Sequence, residues 1–220
     1  MTLSKKNIIV GAARLYLGPS VSLVTDLGAA KPAYVAGQRY TTTLAGADGS
    51  TSTGVPTLVT NWREVGYTTD GLEIVNDPSW GEVEVDQLLD SAKIFKEGMT
   101  QNISTTFAEA TLENLIVAWG QASTSVSSVS ATEREWDFAG GTLGSAPIES
   151  GLIAVGNGVE NAGSTNVYSE RVYHWYRVLS VESTTITHSR SDASTIPVTF
   201  RALPADDGNY GKGRERKNVT

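Results

Sequence analysis

From Trp80 to Leu88 the chain alternates residue by residue, with Val83 and Val85 on one side and Glu82, Glu84 and Asp86 on the other. Met99 to Phe107 does the same: Met99, Ile103 and Phe107 share one side, and Thr100, Asn102, Ser104 and Thr106 the opposite one. Side chains of a strand point alternately to its two faces, so this period of two predicts strands with one dry face and one wet face. Just upstream, Trp62 to Tyr67 is strand-like, Thr69-Asp70-Gly71 has turn composition, and Leu72 to Val75 resumes the strand. Ile8 to Leu17 reads as a first strand stopped by Gly18-Pro19. Further strands are expected near Glu133–Phe138, Gly151–Val155, Arg171–Val181 and Thr195–Leu203. Arg171–Val181 carries bulky residues at both parities, the pattern of a strand covered on both faces.

One helical pattern stands among these strands, from about Phe107 to Trp119. Leu112, Leu115, Ile116 and Trp119 recur at helical spacing and form a stripe. Thr106 and Glu109 have capping-box spacing, and Gly120 supplies a stop. Between Ser20 and Pro56 the chain is rich in Ala, Thr, Gly and Ser without periodicity, which predicts a long loop over 20–56. The polar, locally basic tail after Asp206 has no core to join and is expected to be a flexible arm over 207–220. The fold expected is therefore mainly β: one domain over 1–206, a β-sandwich or partial barrel with one flanking α-helix, a long loop and flexible terminal arms.

Composition narrows the functions open to such a fold. Hydrophobic residues make up 40% of the 220-residue chain, enough for a sizeable core, and charged residues only 19%. The formal net charge of −7 argues against general binding to DNA or to anionic membranes, which calls for a basic surface. There is no cysteine, so disulfides and thiolate metal sites are excluded. A short apolar run near the N-terminus is interrupted by Arg14, and no window reaches transmembrane length, so a soluble cytoplasmic product is expected. Only His174 and His188 could serve as imidazole ligands, and neither sits at ligand spacing; no metal or other cofactor is expected. No nucleophile elbow, phosphate loop or dinucleotide fingerprint occurs, and no catalytic residues are assigned. Of the five tryptophans, Trp119 and Trp175 read as core, Trp62 and Trp80 lie near strand ends, and Trp136 fits either core or surface.

Across Trp62 to Gly120 a VGYTTDG strand-turn, an EVEVDQ strand, a polar-alternating strand and an AEATLENL helix follow in series. This order resembles the central region of the major tail proteins of long, non-contractile-tailed bacteriophages, over about a quarter of the chain. It continues more weakly into IPVTFRALPADDG. The resemblance implies a non-enzymatic virion protein: a β-sandwich with a flanking helix that forms hexameric rings, stacked into a tube that conducts viral DNA. It also implies other copies of the chain, a tape measure protein, a tail terminator and tail tip proteins as partners.

On that basis the Glu82–Glu84–Asp86 and Thr100–Asn102–Ser104–Thr106 faces are expected to line the lumen. DNA carries one negative charge per ~1.7 Å of axis, so an acidic, hydroxyl-rich wall would let it slide where a basic wall would hold it. Arg214, Arg216 and Lys217 of the tail are expected to meet acidic patches on the next ring. The same composition also suits a capsid-decorating or tail-tip β protein and, in a different class, a carbohydrate-binding sandwich with an aromatic platform.

Overall fold

The computed structural model describes residues 13–19, 62–84, 90–121, 126–130, 133–138, 140–157, 168–190 and 192–217. The 20–56 segment, the Ile8 end of the first strand, Val85 and Asp86 lie outside the described residues.

Ten strands and one helix occur among the described residues, and the protein is mainly β. They are β1 (Arg14–Pro19), β2 (Arg63–Glu64), β3 (Thr68–Val83), β4 (Lys93–Phe107), α1 (Leu112–Ala118), β5 (Val126–Ser130), β6 (Glu133–Trp136), β7 (Ser150–Asn157), β8 (Tyr168–Ser180), β9 (Ile196–Leu203) and β10 (Gly211–Lys217). Eight of the strands form one antiparallel sheet in the order β2-β1-β7-β8-β9-β4-β3, with β10 added to β8; β5 and β6 make a separate hairpin.

The main core lies on the sheet face that carries α1. Leu15 and Leu17 of β1, Leu152 and Ala154 of β7, Ile103 and Phe107 of β4, and Val198, Phe200 and Ala202 of β9 meet there with Ala118 of the helix. A smaller cluster on the opposite face gathers Tyr16, Trp62, Ile153, Val155 and Val172. β7 and β8 are thus covered on both faces, as the bulky residues of both parities in Arg171–Val181 predict for β8. Gly18 is needed here, because a Cβ at that position would overlap the Trp62 indole. β8 also carries an extra residue against β7: Leu152 is opposite Trp175 while Ser150 is opposite Val178. That bulge lets Trp175 and Val178, three apart, both enter the main core.

Several boundaries differ from those expected. Thr69-Asp70-Gly71 does not end a strand; β3 runs through it with a register irregularity between Thr68 and Leu72. Gly71 takes a positive φ of 76° there, and its carbonyl accepts from Thr105 Oγ1 at 2.7 Å. The Trp80–Val83 segment is the far end of this same strand. The helix begins later than Phe107, which is held in β4 opposite Ile196 and Thr68 and is fully buried. Thr111, rather than Thr106, is the N-cap, accepting from the Asn114 backbone N–H at 3.3 Å. Glu109 instead accepts from the Tyr67 backbone N–H at 3.1 Å. The stop at Gly120 is as expected: at φ 63°, Gly120 N–H bonds the Val117 carbonyl and Gln121 N–H the Ile116 carbonyl, the two bonds of a Schellman turn.

The expectation of a flexible arm over 207–220 is corrected for Gly211–Lys217. This segment is β10, paired with β8 from Gly211 opposite Trp175 to Lys217 opposite Tyr168. The physical reason is an unused backbone edge. β9 pairs with β8 only at Arg177–Ser180, so the remaining length of β8 offers hydrogen bonds that a polar, core-less segment can satisfy through its main chain.

Candidate assembly surfaces

The most distinctive surface is built by the β3–β4 hairpin. β9 pairs with β4 only over Gln101–Phe107, while β3 and β4 stay paired as far as Val83 opposite Lys93. Among the described residues, Lys93–Thr100 therefore has β3 as its sole strand partner. This two-stranded arm extends roughly 25 Å beyond the end of its pairing with β9 at ~3.4 Å per residue.

Both faces of the arm are apolar and open. Trp80 is 58% exposed, Ile94 60%, Val83 43% and Phe95 42%. The register explains how the two faces are populated. Ser79 is opposite Gly98 but Trp80 is opposite Lys96, which leaves Glu97 as an extra residue in β4. Past this bulge, Trp80, Glu82, Ile94 and Lys96 lie on the side of Met99 and Ile103, and Lys96 Nζ is 3.3 Å from Met99 Sδ. Phe95 and Glu97 share the other side with Gly81, whose absent side chain makes room for them.

This geometry separates the two predicted wall patches. Thr100, Asn102, Ser104 and Thr106 do share one face of β4, all partly exposed. Their cross-strand neighbours are Asp77, Val75 and Glu73 on β3, and Arg201, Thr199 and Pro197 on β9; Ser104 Oγ and Thr199 Oγ1 are 3.3 Å apart. Glu82, however, lies past the bulge on the opposite face, and Glu84 follows it at the same parity; both are exposed. The two patches do not form one continuous wall in a single subunit. Alternation within each strand does not report this, because it leaves the register between β3 and β4 open; pairing Ile74 with Ile103 puts the even positions of β3, Glu82 among them, on the Met99–Ile103 face. The backbones of Arg214, Arg216 and Lys217 lie on β10.

A polar network that periodicity did not reveal fixes the base of this region. Asn114, on the apolar side of α1, is fully buried at 0% exposure. Its Nδ2 donates to the carbonyls of Val65 and Glu109, both at 2.9 Å, and its Oδ1 accepts from Arg63 Nη1 at 2.6 Å. Burial lowers the Arg63 pKa, with nearby Glu113 opposing the shift. Arg134 Nη1 bonds Glu113 Oε1 at 2.7 Å, and that hydrogen bond holds the Glu113 carboxyl below its ordinary range. Glu64 moves the other way: burial raises its pKa and Glu109 adds to the rise, while Arg14 opposes it. The signal in the sequence was an Asn where the helical stripe left room for an apolar residue.

His174 packs edge-on against Trp62 at 5.5 Å and Tyr176 at 5.2 Å, a structural position within an aromatic strand. His188 is exposed, with Nδ1 3.1 Å from Ser194 Oγ. Trp175 is core as expected, but Trp119 is not: it stands at the surface against Phe138, which also meets Trp136. Among the described residues no group of three or more His, Asp or Glu is arranged to hold a metal ion. No helix among them is long and apolar enough to cross a membrane. No protein-family model matches the chain, and no curated protein matches it in sequence.

Proposed function

We propose that this chain is the repeating subunit of a hollow tube of the kind built by the major tail proteins of long, non-contractile-tailed phages. The observation that carries the reading is the β3–β4 arm, a ribbon with large apolar side chains exposed on both faces. A two-stranded hairpin is marginal in water by itself, and exposed apolar patches mark surfaces that are covered in use. The sheet supports the same reading through its edges. Among the described residues β3 pairs with β4 alone, and β2 at the other end is only two residues long. Edges of this kind are removed when copies join side by side and the sheet closes into a barrel.

In such a ring, neighbouring copies complete the sandwich or barrel that a single subunit does not close. The Thr100–Asn102–Ser104–Thr106 face, flanked by Glu73, Asp77 and Arg201, lines the bore and presents hydroxyls, amides, two carboxylates and one guanidinium to passing DNA. Glu82 and Glu84 belong to the arm and its contacts. The tape measure, terminator and tip proteins implied by the family likeness are the remaining partners, and the site of action is the virion tail. Sedimentation velocity over a concentration series tests the reading: ring-sized or larger species growing with concentration are expected, and a monomer at every concentration would overturn it.

A specific observation favours one second reading, carbohydrate binding. Trp119, Trp136 and Phe138 form a surface trio with ring centroids 5.3 and 5.6 Å apart, and Phe138 is 67% exposed. Aromatic faces of this kind can stack on sugar rings. Quenching of tryptophan fluorescence by glycans, lost in Trp119→Ala, would support it, and no response across a glycan panel would remove it.

A further inference from the structure

Where the arm leaves the sheet, its β4 edge parts from β10 and a cleft of about 480 Å³ opens between them. β9 and β10 run in the same direction along successive stretches of β8, so β10 continues the line of β9. β4 pairs with β9 but, among the described residues, not with β10. Two strand edges therefore face the same opening. A side chain at Gly208 or Gly213 would meet nothing within 4 Å, whereas Gly211 is needed against the His174 backbone; Lys96 and Lys212 line the cleft and no carboxylate does, Asp207 being near enough to Lys212 to feel its charge, in a chain whose net charge is −7. Lys96 Nζ contacts the thioether of Met99 rather than a carboxylate.

The far end of the arm has the opposite character. Glu82, Glu84 and Asp90 are exposed around its tip, alongside the apolar Val83 and, opposite it, the exposed Lys93. We infer that the acidic tip of one copy's arm docks as an added strand in the Lys96–Lys212 cleft of a neighbouring copy. Main-chain hydrogen bonds to an open edge supply affinity, Gly208 and Gly213 give the incoming backbone close approach, and the lysines select an acidic strand. Because tip and cleft are different surfaces of the same chain, the contact is heterologous. It propagates from copy to copy and closes into a ring or continues as a helical array. The inference rests on the tube reading and specifies which surfaces of the subunit meet.

The absence of cysteine from the chain gives a clean test. Protein carrying Glu84→Cys is mixed with protein carrying Lys212→Cys and treated with a short thiol-specific cross-linker, while assembly is followed by sedimentation in the same samples. A heterodimer that forms under assembling conditions and is lost on dilution is the expected result. Assembly without this cross-link overturns the tip-to-cleft contact and leaves the tube reading standing; absence of assembly at any concentration overturns both. A charge exchange checks the same contact without cysteine. Lys96→Glu with Lys212→Glu should raise the concentration needed for assembly by about tenfold, the scale expected of two exposed ion pairs turned repulsive. Mixing in protein with Glu82→Lys and Glu84→Lys should restore it. Failure of that rescue, with both variants folded by circular dichroism, counts against the contact.

Discussion

Replacing Trp80 with Ser isolates the part of the account on which assembly depends. Trp80 is 58% exposed in the subunit, on the arm face it shares with Ile94. A tryptophan presents about 250 Å², so about 145 Å² of Trp80 is free to be covered by a neighbour. At ~25 cal/mol per Å² that area is worth about 3.5 kcal/mol per contact. At ~1.4 kcal/mol per tenfold this is about 300-fold in an association constant. The subunit's own stability should fall by at most about 2.5 kcal/mol, the worth of the ~105 Å² of Trp80 that its own subunit covers. Sedimentation velocity and a urea titration on the same protein separate the two effects. The account expects a large rise in the assembly concentration from subunits that the urea titration shows to be folded. Unchanged assembly would refute the claim that this face is covered by a neighbour. A loss of unfolding free energy well above about 2.5 kcal/mol would show that Trp80 packs within its own subunit more than its exposure implies.

Three further outcomes test the fold and its electrostatics. Thr111→Ala removes the N-cap of α1 and should cost about 1 kcal/mol by urea denaturation. Gly18→Ala places a methyl group against the Trp62 indole and should cost about 1–3 kcal/mol, with changed near-ultraviolet circular dichroism from the displaced ring. Glu64→Gln should alter the pH dependence of stability in a defined direction. The folded-state pKa of Glu64 is raised, mainly by burial, so its favourable contribution is complete below the unfolded carboxylate pKa and is lost as pH rises through the folded value. The variant should therefore gain on the parent as pH climbs through and just above the carboxylate range. A constant difference between the two, measured by thermal unfolding across that range, would contradict the assignment.

How much of this was legible in the sequence depended on whether a single rule decided each position. β4 was readable because Ile103 and Phe107 must be buried and the residues between them need not be; alternation alone settles that. β8 announced its two covered faces through its bulk, although the bulge that admits both Trp175 and Val178 breaks the period and has no composition of its own. The arm shows where alternation is insufficient. Its pattern correctly gave strand, yet an apolar side chain at alternate positions did not mean a face buried within the subunit, and the register that pairs Ile74 with Ile103, which alternation leaves open, put the two patches on opposite faces. Thr111, rather than Thr106, caps the helix because long-range pairing of Phe107 overrides a local signal that both threonines satisfy. β10 was missed because its order comes from the backbone edge of β8, which nothing in the GKGRERK stretch reports. Asn114 was missed for the opposite reason: it is a polar residue whose partners, Val65, Glu109 and Arg63, come from other parts of the chain.

The central claim is tested most directly by electron microscopy of the purified protein at concentrations above the onset of assembly. The account predicts annuli or stacked tubes with a continuous bore wide enough for duplex DNA, built from copies whose arms overlap their neighbours. Solid filaments, closed shells without a channel, or a population of monomers throughout would contradict it.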